Sequence, residues 1–148
     1  MIGFNALGRM GRLANQMFQY ASLKGIARNT GVDFCIPYYE QERFFHFDEE
    51  LFRMCPDHVS LQGYFQTEKY FKHIEDEIRS DFTFTDGILD PCKVMIADVD
   101  NPIALHVRRG DYVKNSANHP PCSLEYYQKG LDHFDSDRNV IVFSDDPE

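Results

Sequence analysis

Ile2-Gly3-Phe4-Asn5-Ala6-Leu7-Gly8-Arg9-Met10-Gly11-Arg12, continued by the run from Leu13 to Asn29 and by Thr30-Gly31, is the stretch on which the fold turns. Residues 2–7 are short, largely apolar and bounded by glycine, as a buried strand is. Gly8 and Gly11 let the chain turn tightly where a side chain would obstruct it. Leu13, Met17, Tyr20, Ala21 and Ala27 recur at helical spacing and predict a helix from Leu13 to Asn29. Thr30-Gly31 ends it, because glycine readily takes the left-handed conformation that closes a helix. Val32-Asp33-Phe34-Cys35-Ile36 predicts a second strand, closed by Pro37. Strand, glycine loop, helix and strand in that order open a parallel sheet, so the predicted fold class is α/β and Rossmann-like.

The loop of this unit suits an anion. Free N–H groups at a helix N-terminus attract negative charge, and Arg9 and Arg12 stand beside them. The spacing Gly8-x-x-Gly11-x-x-Ala14 is not the dinucleotide pattern, and no Gly-Lys-Ser/Thr follows for a P-loop. Asn15 and Gln16 offer amides that fit sugar hydroxyls or phosphate. Two readings stay open, since Asn15 also serves as a helix cap and Gln16 also suits a water-facing position.

A second loop of the same kind follows Pro102-Ile103-Ala104-Leu105, a predicted buried strand. It is His106-Val107-Arg108-Arg109-Gly110-Asp111-Tyr112. In open α/β sheets ligands bind beyond the carboxyl ends of strands, and two guanidinium groups beside a glycine suit a pyrophosphate or another dense anion. The plainer reading is a solvated arginine pair, with one arginine bridging to Asp111.

Between the two loops, residues 38–56 are aromatic and acidic, with a predicted helix at Asp48–Met54. Phe44, Phe45, Phe47, Leu51 and Phe52 read as core in preference to a sugar-stacking platform. Val59–Tyr64 alternates as a half-buried strand does. Thr67 predicts an N-cap for a helix to Arg79, with Phe71, Ile74 and Ile78 on one face and Glu68–Lys72 as a supporting pair. Asp81–Thr85 reads as extended, Gly87–Val99 as a helix interrupted by Pro91, and Asp98–Pro102 as a linker. After the arginine loop, Lys114–Pro121 is a polar loop. Ser123 caps a helix to Phe134 with Leu124, Tyr127 and Leu131 on one side, and Val140–Phe143 is a buried strand. Ser144-Asp145-Asp146-Pro147-Glu148 carries the capping signals of another helix, which leads us to expect a longer chain.

Composition narrows the function. The 148 residues are 43% hydrophobic, with 13 Phe and 8 Tyr, as a globular protein requires. A net charge of −9, from 24 acidic and 15 basic residues, argues against a nucleic-acid groove. Cys35, Cys55, Cys92 and Cys122 form neither CxxC pairs nor zinc spacing, and read as reduced thiols in a reducing compartment. No signal peptide or membrane-spanning run is expected, so the expected location is cytoplasmic, or peripheral at a membrane. The sequence carries no signal for oligomeric state.

Taken together, Gly11–Ala21, Gln62–Phe71, His106–Tyr112 and Phe143–Asp146 resemble, in order, the α-1,2-fucosyltransferase family, glycosyltransferase family 11. The His-x-Arg-Arg-x-Asp pattern extends the likeness to α-1,6- and protein O-fucosyltransferases. The resemblance implies a GT-B enzyme with two Rossmann-like domains across a cleft. It would move L-fucose from GDP-β-L-fucose to the 2-hydroxyl of a galactoside within a glycan acceptor, inverting the anomeric centre, with no metal or other cofactor. Residues 1–100 would form the acceptor-side domain and 101–148 the start of the donor domain, the rest lying beyond these residues. Arg108 would take the β-phosphate and Arg109 a second oxygen or the loop geometry. His106 would contact guanosine or be structural. Arg12, Asn15 and Gln16 would reach phosphate or fucose, and Ser144, Asp145 and Asp146 would contact the nucleotide or cap a helix. No residue stands out as a general base; Asp111 is the one that could serve, with anchoring an arginine as its simpler role. The family usually has glycine where this chain has Ala14, which matters only if that position needs a positive φ or a close ligand. A non-catalytic module that binds a nucleotide sugar or another anion is the competing reading.

Overall fold

The computed structural model describes residues 1–38, 44–47, 49–53 and 59–146. The chain is α/β and divides into two compact units, Met1–Pro91 and Cys92–Glu148.

In the first unit, β1 (Ile2–Gly3) leads through the glycine loop into α1 (Leu13–Thr30), which returns to β2 (Phe34–Cys35). The strands are parallel, pairing Ile2 with Phe34 and Gly3 with Cys35. β1 is shorter than the expected 2–7, because Leu7 and Arg9 donate their N–H groups back to Phe4 and Ala6. Those turns put Phe4 and Leu7 into the core. α1 ends as predicted, with Gly31 at φ 68° and its N–H on the Ala27 and Arg28 carbonyls. Its residues 19–25 are buried without a break, so α1 is enclosed on all sides rather than along one stripe.

Several expected elements are reduced to single bridges or turns. Val59–Tyr64 contributes only the parallel bridge of Ser60 to Gly3. Gly63 at φ 144° and Phe65 at φ 50° then bend the chain away from an extended course. The expected helix at Asp48–Met54 is one 3-10 turn, Glu49–Leu51; Asp48 and Met54 themselves lie outside the described residues. Ile36 draws the following backbone into the sheet by binding the Leu51 carbonyl and the Arg53 N–H. Thr67 does accept the Lys69 N–H at 3.4 Å. Yet the helix it opens breaks into 3-10 turns at Glu68–Tyr70 and Lys72–Ile74 before α2 (Glu75–Asp81). The cause is close approach to α1, since a Cβ on Gly25 would collide with the Tyr70 carbonyl. α3 (Asp86–Ile96) runs through Pro91 without the expected interruption, forgoing the one hydrogen bond that proline cannot donate.

Phe4, Leu7, Tyr20, Ala21, Leu23, Ile36 and Ile78 form the core of this unit, with Phe47, Phe52 and Phe82 packed on it. The aromatic segment is therefore core: Phe45 is buried, and Phe47 lies 4.6 Å from Tyr20 between ring centres. Lys24 enters the same region and is held by Asp81 at 2.6 Å and Glu77 at 3.4 Å.

In the second unit, β3 (Ile103–Val107) and β4 (Val140–Ser144) are parallel, in register from Ile103–Val140 to Val107–Ser144. α4 (Gly110–Lys114) and α5 (Leu124–Leu131) lie between them in sequence. Ser123 caps α5 by accepting the Tyr126 N–H at 3.2 Å, and the helix stops short of Phe134. β4 is not the buried strand its composition predicts, with Val142 58% and Phe143 54% exposed. A parallel sheet is buried only where helices cover both faces, and β3 is the one ladder partner of β4 among the described residues. Of the predicted α5 face, Tyr127 and Leu131 are half-buried but Leu124 is 88% exposed. The helix forecast beyond Asp146 falls on Pro147 and Glu148, outside the described residues. Among the described residues no helix is long and apolar enough to cross a membrane.

Candidate functional site

The register of β3 and β4 sets Val107 beside Ser144, so the segments 108–111 and 145–146 leave the sheet side by side at the strands' carboxyl ends. Arg108 donates through Nε and Nη2 to the two carboxylate oxygens of Asp111, at 3.1 and 2.7 Å. This two-point pairing fixes the guanidinium plane. The Asp111 hydrogen bond also pushes the Arg108 pKa above its ordinary value. The Tyr112 ring backs the same guanidinium at 4.6 Å and itself stacks on His119 at 5.1 Å.

Arg109 is tied to β4 instead. Its Nε donates to Asp146 at 3.3 Å. Its backbone N–H and that of Gly110 both donate to Asp145 Oδ1, at 2.8 and 3.1 Å. These two bonds hold the Asp145 carboxyl below the usual range. A Cβ on Gly110 would stand 3.0 Å from the same carboxylate, tighter than ordinary contacts allow. Ser144 Oγ accepts the Asp146 N–H at 3.0 Å and closes the turn after β4. His106 is exposed on β3, paired in the ladder with Phe143. Burial, ahead of the neighbouring Cys122, pushes the Tyr127 phenol up. Both arginines keep charge at the surface, with side chains 38% and 49% exposed.

The glycine loop of the first unit is built differently. Gly8 at φ 85° and Gly11 at φ 77° take the left-handed conformation that the sequence required. Arg12 occupies the N-cap of α1 with no side-chain cap bond, so Asn15 is not the cap. The Asn15 side-chain Oδ1 accepts from the Gln66 side-chain amide, which brings two of the family-like motifs together. Gln16 is buried rather than water-facing, and its amide donates to the Gly11 carbonyl at 3.1 Å. Gln19 does the same for Met10 at 3.1 Å. The Oε1 atoms of both are buried without a partner among the described residues. Ala14 lies inside α1, exposed, with an ordinary helical φ, so the methyl meets no conformational penalty.

Two participants were not singled out from the sequence: Tyr112 under Arg108, and Gln66 against Asn15. Both lie within the motifs already quoted, which was the available signal. Among the described residues no three His, Cys, Asp or Glu side chains are gathered as metal ligands would be.

The model of the family described as glycosyl transferase family 11 matches residues 25–148. An O-antigen biosynthesis glycosyltransferase, WbnK, of Escherichia coli is 28% identical over 121 residues, covering 74% of this chain and 40% of that protein. Galactoside α-(1,2)-fucosyltransferase 2 of Oryctolagus cuniculus is 27% identical over 146 residues, covering 76% of this chain and 41% of its own. An α-1,2-colitosyltransferase of Escherichia coli is 32% identical over 97 residues, covering 61% and 33%. This chain thus spans about two fifths of the length of the first two relatives. No solved structure matches.

Proposed function

Because the chain belongs to glycosyl transferase family 11, we propose that it serves α-1,2-fucosyl transfer. L-fucose would pass from GDP-β-L-fucose to the 2-hydroxyl of a galactoside in a glycan, with inversion and without a metal, on a GT-B scaffold. The observation that carries this reading is the placement of Arg108 and Arg109 at the carboxyl end of β3, beside the carboxyl end of β4, each guanidinium oriented by a carboxylate. When the fucosyl–phosphate bond breaks, the sugar becomes oxocarbenium-like and negative charge gathers on the β-phosphate. Fixed positive charge at that point stabilises the transition state more than the ground state. Arg108 has the role of β-phosphate contact, with Asp111 as the residue that aims it. Arg109 contacts a second oxygen or keeps the loop in shape, while His106, Ser144 and Asp146 flank the nucleotide. Arg12, Asn15 and Gln16 belong to the same proposal through the family motif; the buried, loop-binding amide of Gln16 favours a supporting part for it. The relatives' names include both fucosyl and colitosyl transfer.

The test is GDP binding by calorimetry in the presence of a chelator, for the protein and for Arg108→Ala. The expected result is micromolar binding that weakens about tenfold or more on substitution, as loss of a charge-assisted bidentate contact would produce. Equal binding by both proteins would remove Arg108 from its role. A binding module without turnover is the second reading, supported by the carboxylate already paired to each arginine. Fucose transfer to a galactoside acceptor separates the two.

A further inference from the structure

The end of β3, which carries both arginines, is joined to the end of β4 by one carboxylate. Asp145 Oδ1 takes both the Arg109 and the Gly110 N–H, 36 and 35 residues away in sequence. We infer that Asp145 is a positioning residue: it bolts the arginine loop to β4 and thereby aims Arg108 and Arg109, without itself touching the donor. The inference rests on the proposed nucleotide-sugar reading of this site and adds a residue-level division of labour to it. Three observations carry it. The N–H pair at the start of α4, a natural place for a phosphate, is already satisfied from within the chain. Gly110 has no Cβ that would push Asp145 away, so the contact is built into the loop. Asp146, the neighbouring carboxylate, holds the Arg109 side chain while Asp145 holds its backbone, fixing one residue at two points. The depressed carboxyl of Asp145 agrees with a resident hydrogen-bond acceptor.

A positioning role needs an oxygen acceptor at residue 145, whereas a ligand contact through charge needs the carboxylate. Asp145→Asn keeps the acceptor and Asp145→Ala removes it. In the full chain, GDP affinity should fall about tenfold for alanine and stay within about threefold for asparagine. Equal losses in the two variants would overturn the inference in favour of a direct charge contact. Tighter binding by the alanine variant would also overturn it, because the N–H pair would then belong to the phosphate. Backbone hydrogen exchange decides the matter without any ligand: the Arg109 and Gly110 N–H groups should lose protection in Asp145→Ala and keep it in Asp145→Asn. Absence of GDP binding in the unsubstituted protein would defeat the functional reading alone, and the exchange result would still stand for or against the bolt.

Discussion

The loop at 8–12 and the loop at 108–111 both lie on the path from a parallel strand to a helix, yet they are held by opposite means. The first is fixed from beneath: Gln16 and Gln19, both buried, grip the Gly11 and Met10 carbonyls. It feeds an 18-residue helix enclosed by core. The second is fixed from the side by Asp111, Asp145 and Asp146, and feeds a five-residue helix. Burial fixes geometry through packing that ligands and salt hardly alter. Exposed carboxylates fix it through charge, which an incoming anion and its solvent can compete with.

The largest test of this contrast is core truncation. Leu23→Ala, at a fully buried position of α1, should cost about 2–5 kcal/mol in urea denaturation. Leu124→Ala, at an 88% exposed position of α5, should stay within about 0.5 kcal/mol. Similar losses at the two sites would break the comparison. Glycine substitutions sharpen it at the level of backbone approach. Gly25→Ala forces a methyl into the Tyr70 carbonyl and should cost about 1–3 kcal/mol. Gly130→Ala in α5 meets nothing within 4 Å and should stabilise by about 0.5–1 kcal/mol. The smallest effect is acid sensitivity. The Arg28 hydrogen bond, followed by that of Lys24, lowers the Glu77 carboxyl below its ordinary 4.5. A lowered folded-state value stabilises the fold above pH 4.5 and is lost as pH falls through it. Glu77→Gln should therefore reduce stability slightly at pH 7 and flatten the loss between neutral and acid pH, read as denaturation midpoints across that range.

The parts legible in the sequence were those governed by local chemistry. Gly31 had to end α1, Gly8 and Gly11 had to turn, and Thr67 and Ser123 had to cap, because each depends on a residue's own φ or hydroxyl. The strand–helix–strand order followed from periodicity together with the glycine and proline stops between the elements. What escaped was decided by distant partners. The segment after Thr67 repeats apolar residues as a helix does, but Gly25, more than forty residues earlier, brings α1 so close that the turns tighten. Val140–Phe143 has a buried strand's composition, and exposure depends on what covers the sheet, which composition does not record. At the arginine loop, Asp111 as the anchor of one arginine was readable from the sequence, and the structure makes that arginine Arg108. The bond from Asp145 to the Arg109 and Gly110 amides was not, because it exists only once β3 and β4 are aligned.

At the opposite end of the same ladder, Arg138 closes on the Asn101 carbonyl at 2.9 and 2.7 Å and reaches the Asn101 side chain at 3.1 Å. Asn101 is turned to a positive φ of 39° beneath it. The two strands are thus latched before their first pair and after their last. A slip of register would break both latches together, so the ladder has one stable alignment. The stretch of chain strung between the latches, from Lys114 to Pro121 in particular, is then released from any duty of alignment. Changes of length or sequence there should leave the strand register as it is, provided that His119 keeps its place on the Tyr112 ring behind Arg108.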